Sequence, residues 1–241
     1  MILQFQANQK GKDYICSDIH GHFSLLDNKL AAVDFNSTAD RLFCLGDLID
    51  RGPNSTQALE WLNQPWLHAI QGNHERTLIE FYETQSNSIW QSWMGYGGTW
   101  AQTLSREMLK PYYTAFSQLP LAIEIILPNQ QRVGLIHAQL PDQCDWGIIR
   151  RLLSDARASD INKNQVLSNM LWGRSQTSMS KENRSRIKSV SNIDHVFHGH
   201  TIVPEYLTLT NRTFMDLGSY VFNQIGFIEP LGFMQEHLKA T

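Results

Sequence analysis

Three times in its first 75 residues this chain follows a short apolar run with an abrupt cluster of Gly, Asp, Asn and His, and then with a stretch of helical period. Tyr14-Ile15-Cys16 leads into Asp18-Ile19-His20-Gly21, Leu42-Phe43-Cys44-Leu45 into Gly46-Asp47, and residues 66–70 into Gly72-Asn73-His74-Glu75. Apolar runs this short, bounded by turn formers, read as buried strands, and helical stretches between them read as crossovers, which makes the fold class α/β. Ser24-x-x-Asp27 predicts a capping box for a helix with Leu26, Leu30 and Val33 on its apolar side, and Asn54 or Ser55 predicts a cap for one carrying Ala58, Leu59 and Leu62. All three polar clusters then lie at carboxyl ends of strands, where open α/β sheets bind ligands. The second half is more antiparallel in character, with strands expected at 121–127, 131–136, 195–197, 206–209, 213–215 and 225–228. With 241 residues, 42% of them hydrophobic, one domain over residues 1–241 with two packed layers of sheet is expected.

Charge narrows the partners. Lys and Arg number 20 against 23 Asp and Glu, so no global basic field draws the chain to nucleic acid or to an anionic membrane. Cys16, Cys44 and Cys144 are odd in number and too far apart for a Cys-x-x-Cys clip, which suits a reducing, cytoplasmic setting. The first residues carry no basic-then-apolar leader. The most apolar stretch, 119–127, is far shorter than the roughly 20 residues that span a bilayer, and it contains Glu124. The polar segment 175–191 reads as a solvated loop or linking helix. The segment 89–100, with Trp90, Trp93, Tyr96 and Trp100 around Gly97-Gly98, reads either as a core helix with a turn or as a wall of a substrate cleft.

Two further pieces, His137-Ala138 and His198-Gly199-His200-Thr201, end strand-like runs in the same way. Any one cluster is an ordinary strand-end turn. Together they form a set of carboxylates, imidazoles and one amide with no thiolate, which suits Mn²⁺, Fe or Zn²⁺. Glycine recurs beside them because the chain must turn sharply or approach an ion without a Cβ in the way.

Asp-x-His-Gly, Gly-Asp-x-x-Asp-Arg-Gly and Gly-Asn-His-Glu, in this order and with 27 positions from His20 to Asp47 and 26 from Asp47 to Asn73, resemble the signature of the phosphoprotein phosphatases within the calcineurin-like metallophosphoesterases. The likeness runs from about Tyr14 to Phe222 and is strongest to the short bacterial and bacteriophage λ-type enzymes. It implies two mixed β-sheets in a sandwich flanked by helices, and hydrolysis of phosphate monoesters by a monomer acting on phosphorylated proteins or peptides. It also implies two divalent metal ions, with manganese expected and Fe or Zn²⁺ as alternatives. Asp18 and His20 would bind one ion, Asn73, His137 and His200 the other, and Asp47 would bridge them, a hydroxide between the ions attacking phosphorus directly.

His74 resembles the family's general acid, with Asp50 holding its imidazole in the donating tautomer. Arg51 would present its planar fork to the phosphate, alongside Asn73 and a second arginine from the later half. Leu171-Trp172-Gly173-Arg174 resembles the segment that supplies that arginine, although Arg150 and Arg151 lie in a comparable region. Glu75 is expected to pair with an arginine, either behind the ligands or as a purely structural bridge. Asp216 is expected to brace a turn behind the ligands, His198 to sit at the rim or behind them, and His22 near the mouth without binding metal. Where the family commonly has His-Ala-Gly this chain has His137-Ala138-Gln139, so the loop must accommodate a side chain.

Dinucleoside polyphosphate hydrolases, such as those of diadenosine tetraphosphate, share the fold and most of the ligands. They tend to lack the aspartate matching Asp50 and to carry Asp where this chain has Glu75. A good leaving group makes an acid-orienting aspartate dispensable, so its presence favours alkoxide-leaving monoesters. A nuclease lacks support without a basic stripe. A non-catalytic binding module predicts missing ligands, and every ligand position is filled.

Overall fold

In a computed structural model, residues 1–154 and 161–237 are described. Three parallel strands, β2 (Asp13–Cys16), β3 (Arg41–Cys44) and β4 (Leu67–Ala69), form one sheet with the short antiparallel strand β10 (Phe227–Ile228), in the order β10-β2-β3-β4. The other sheet holds β1 (Ile2–Phe5), β5 (Ala122–Ile126), β6 (Arg132–Ile136), β7 (His195–His198), β8 (Leu207–Leu209) and β9 (Arg212–Phe214), in the order β1-β5-β6-β7-β9-β8. Both sheets are mixed, as expected. Strand β1 was not foreseen: its four residues, Ile-Leu-Gln-Phe, are too few and too irregular in pattern to signal a strand, and they pair with β5 in parallel register.

The sheets face each other across one apolar layer. Ile15, Phe43, Leu45 and Ile70 from the first meet Ile123, Ile125, Val133, Leu135 and Phe197 from the second, all fully buried. Burial of each such side chain stabilises the fold by about 1.5–3 kcal/mol relative to exposure. A second core lies under the helices α1 (Phe23–Ala32), α2 (Ala58–Leu62), α3 (Asn73–Thr84), α4 (Asn87–Gly95) and α5 (Arg106–Gln118), on the outer face of the four-stranded sheet. The helices α6 (Trp146–Ser154) and α7 (Ile161–Trp172) cover the outer face of the six-stranded sheet, where Ala122, Ile136 and Val196 pack against Trp146, Ile149 and Met170.

Both expected caps are corrected. Helix α1 is preceded by His22 with no side-chain cap, and Ser24 lies inside it. Asn54 precedes a short 3₁₀ turn, Ser55–Gln57, also without a side-chain cap, and the Ser55 hydroxyl instead accepts from the Asp50 amide at 2.8 Å. In each case a tight turn after a strand orients the hydroxyl or leaves the amides to backbone partners. Segment 175–191 is largely exposed, with a 3₁₀ turn at Asn183–Arg186, but Gln176, Ile187 and Val190 are buried in it. Among the described residues no helix is long and apolar enough to cross a membrane. The three cysteines are free thiols.

Candidate metal centre

The carboxyl ends of β2, β3, β6 and β7, together with the start of α3, converge between the two sheets. Five candidate residues there have left-handed backbones: His20 (φ 47°), Asp47 (48°), Asp50 (74°), Arg51 (68°) and His200 (66°). Left-handed conformations are uncommon for side-chain-bearing residues and persist only where surroundings over-determine them, as at functional sites. The strand ends must therefore reverse within one residue to turn their ligand atoms inward. Two glycines show how tight the packing is: a Cβ on Gly199 would lie 2.1 Å from Asp18 Oδ1, and one on Gly72 2.2 Å from Asp47 Oδ1.

Asp47 is the hub. Its Oδ2 lies 3.6 Å from His20 Nε2 and 3.8 Å from His74 Nε2, and its Oδ1 lies 3.4 Å from His137 Nε2. Two groups of ligand atoms come together within 4.8 Å, His20 with Asp47 and His74, and Asp47 with His137 and His200, so Asp47 belongs to both. Asn73 Oδ1 approaches His137 Nε2 at 2.9 Å. Asp18 stands outside these two groups; both of its oxygens accept from the His200 amide at 3.0 Å.

The hydrogen bonds determine which ring nitrogens are free. A carbonyl can only accept, so His137 Nδ1 donates to Leu45 O at 2.7 Å and His20 Nδ1 donates to Ile49 O at 2.9 Å. Each neutral ring then aims an Nε2 lone pair at Asp47, the second-partner arrangement that orients metal-binding histidines. Burial keeps these rings neutral: it holds His20 well below the usual histidine range, lowers His137, and with His137 alongside takes His200 down to about 2. Neutral imidazole is the form that binds metal.

Carboxylates show the complementary strain. Burial, then Asp216 and Asp47, push Asp18 well above the ordinary carboxylate range. Burial alone would raise Asp47 too, but His137, His74, His20 and His200 hold it below that range. Buried carboxylates that raise one another call for a cation, and among the described residues His74 Nε2 and His200 Nε2 are buried without any hydrogen-bond partner. Oxygen and imidazole donors, unpartnered lone pairs and crowded carboxylates together suit divalent metal ions.

Beside this cluster is a second constellation. Asp50, fully buried, accepts from His74 Nδ1 at 2.6 Å, from Trp93 Nε1 at 2.8 Å and from Trp100 Nε1 at 2.5 Å. Burial lowers His74, but Asp47 and the hydrogen-bonded Asp50 outweigh it, and the net shift is upward from the ordinary value. Neither indole was foreseen as a partner of Asp50. The only signal was the aromatic density of 89–100, which turns out to serve as core and as brace together, since Trp93 is fully buried in the helical core.

Arg51 donates to Tyr96 O at 3.3 Å and to His20 Nε2 at 2.7 Å, and its guanidinium stacks over Tyr220 at 4.4 Å. Nothing in the sequence singled out Tyr220. Arg174 also reaches the centre, donating to His200 O at 3.2 Å. Arg150 lies instead beside Glu124, 3.8 Å away.

Two expectations change. Glu75 pairs with no arginine among the described residues: its Oε2 accepts from the Gly72 and Asp47 amides at 2.9 and 3.0 Å and its Oε1 from the Leu48 amide at 2.8 Å, so it clamps the turn that carries Asp47 to the start of α3. Burial and Asp47 push its carboxyl up to about 7. His198 is not at the rim; it is fully buried and stacked on Phe214 at 4.7 Å. Asp216 does brace a turn, accepting from the Gly218 amide at 2.9 Å, while His22 is half-buried at the start of α1.

Two sheets with a metal-ligand cluster at their strand ends define a metallophosphoesterase, and the sequence profile of the calcineurin-like phosphoesterases matches residues 14–204: the chain belongs to that family. It is 29% identical over 219 residues to "Serine/threonine-protein phosphatase 2" of Salmonella typhimurium, covering 90% of this chain and 91% of that one, and equally identical to the Escherichia coli protein of that name over 89% and 90%. A shorter likeness, 38% over 77 residues, links it to the symmetrical bis(5'-nucleosyl)-tetraphosphatase of Buchnera aphidicola, covering 31% of this chain and 28% of that one. Among solved structures, a putative diadenosine tetraphosphatase has a TM-score of 0.63 at 19% identity, covering 94% of this chain and 91% of the other. A Saccharomyces cerevisiae serine/threonine phosphatase has 0.61 at 18%, covering 91% and 72%. At these identities the structural likeness concerns the fold.

Proposed function

We propose that the chain hydrolyses phosphate monoesters of serine and threonine in proteins, using two divalent metal ions, with manganese the expected pair. The observation that carries this reading is the His74–Asp50 pair, 2.6 Å apart and buried, with Asp50 held by two indole donors. A serine or threonine alkoxide is a poor leaving group, so its departure gains from a positioned proton donor, whereas a nucleotide leaves without one. The full-length likeness to proteins named serine/threonine phosphatases supports the same substrate class.

Asp18 and His20 on one side, Asn73, His137 and His200 on the other, and Asp47 between them would hold the ions. When bound, such ions polarise phosphoryl oxygens and make a water acidic enough to ionise near neutrality. Asn73 contributes a neutral oxygen, which limits negative charge where a phosphate dianion must approach. Arg51, bonded to His20, and Arg174, bonded to His200 O, take phosphate oxygens and fix the ester in line. Asp50 keeps the His74 proton on Nδ1 when the ring is neutral and stabilises the doubly protonated ring, so Nε2 can pass its proton to the departing oxygen. Glu75 maintains the Asp47 turn in the geometry this requires.

The partial likeness to a tetraphosphatase makes dinucleoside polyphosphates the second reading. Purified protein offered phosphoserine peptides and diadenosine tetraphosphate side by side separates the two. Faster turnover of the peptides is expected, and faster turnover of the dinucleotide would overturn the assignment. Para-nitrophenyl phosphate hydrolysis with metal bound tests the reading as an enzyme: no turnover would leave a binding module.

A further inference from the structure

Gln139 replaces a glycine common in the family, and its side chain does more than find room. It is buried, and it touches the residues on both sides of Arg174. Nε2 donates to Ser175 Oγ at 2.9 Å, and Oε1 accepts from the Gln176 amide at 3.1 Å. Its Cγ lies so close over Gly173 that a Cβ there would come within 2.3 Å of it. The contact is extended by Gln176, also buried, whose Nε2 donates to Leu140 O at 2.7 Å and Asp142 Oδ1 at 2.8 Å. Arg212, from β9, closes the network by donating to Leu140 O at 3.1 Å, Pro141 O at 2.8 Å and Lys188 O at 3.1 Å.

Arg174 itself is exposed and, among the described residues, has one side-chain hydrogen bond, to His200 O. A long exposed side chain loses substantial rotamer freedom when it grips an anion. Fixing the backbone on either side of it reduces that loss. We propose that Gln139 is a positioning residue for Arg174: it ties the segment 173–176 to the loop that follows His137, so that the arginine and a metal-ligand histidine move as one unit toward the phosphate.

This rests on the reading of Arg174 as a phosphate ligand, and the test separates the two. Inorganic phosphate binding to the manganese-loaded protein is measured by titration calorimetry for Gln139→Met, Arg174→Ala and the double variant, with kcat on para-nitrophenyl phosphate, manganese affinity and melting temperature recorded for each. Gln139→Met keeps the side chain's volume and removes both hydrogen bonds. It should weaken phosphate binding about ten-fold, the scale of one or two net hydrogen bonds, with manganese affinity unchanged and KM altered more than kcat. The double variant should bind phosphate no more weakly than Arg174→Ala. Unchanged phosphate affinity in Gln139→Met, or losses that add in the double variant, overturns the positioning role. Unchanged affinity in Arg174→Ala removes the phosphate role of that arginine, and the positioning role with it. Should Gln139→Met fail to fold, Ser175→Ala, at an exposed site, removes the Nε2 partner and should reproduce a weaker form of the same effect.

Discussion

The two arginines that flank the metal-ligand cluster are held in unlike ways. Arg51 sits in a turn directly after Asp50, with its amide bonded to Gly97 O at 3.0 Å, its guanidinium shared between Tyr96 O and His20 Nε2, and the Tyr220 ring beneath it. Arg174 follows the end of α7, is exposed, and depends on a network reaching through Gln139 and Gln176 to Arg212. One is constrained by its immediate neighbours and by side-chain stacking. The other is constrained at the backbone, from a distance. Under the proposed function the same anion-binding task would be met once by a local motif and once by tertiary assembly, and the two should differ in what disrupts them.

Asp47→Asn should have the largest effect, since it removes the charge that both ligand groups share and so the floor under both arginines. Metal analysis should show loss of bound ions, with hydrolysis at background; retention of both ions would disprove the bridging role. Next, His74→Ala should retain the metals yet slow phosphoserine peptide hydrolysis roughly 10²- to 10⁴-fold. Para-nitrophenyl phosphate, with its better leaving group, should suffer less, and equal losses on both substrates count against a proton-donor role.

The pair Arg51→Ala and Arg174→Ala tests the difference between the two arginines directly. Loss of charge-assisted bonds predicts drops in kcat/KM of roughly 10²-fold for Arg51 and roughly ten-fold for Arg174. Equal drops would mean that the pre-organisation of Arg51 contributes nothing. Trp100→Phe removes one donor to Asp50 from a ring-sized space, and a several-fold fall in kcat on the peptide alone is expected.

The smallest effect is a displacement of a pH profile. His74 has its pKa raised, so it carries its proton below that value and loses it as pH climbs, and peptide turnover should decline on the alkaline side. Asp50→Asn takes away a charge that raises His74, so the decline should begin at lower pH. A limb that stays put in Asp50→Asn assigns it to a group other than His74.

Much of the centre is legible in the sequence because its parts are local. Asp18 with His20, Asp47 with Asp50 and Arg51, and Asn73 with His74 each occupy a few residues after one strand, where backbone reversal and side-chain type are both written in the same short string. Glu75 shows the limit of that legibility. Its carboxylate looks like half of an ion pair, but burial beside Asp47 makes backbone amides, which carry no sequence signature, its partners. His198 shows another, since alternation along a four-residue strand cannot say whether the strand is covered on both faces. In the described structure it is.

By itself, then, the sequence determined the chemistry: which carboxylates, imidazoles and amide are present, their order, and their place at strand ends, because turn geometry and ligand identity are encoded within a few positions. Only the tertiary structure decided how those ends meet and what braces them. Asp50 is some 43 positions from Trp93 and 50 from Trp100. Gln139 is 36 from Ser175, and His200 is 182 from Asp18. Contacts of that span are set by how two sheets and their helices pack, a property of the whole apolar interior and not of any segment of it.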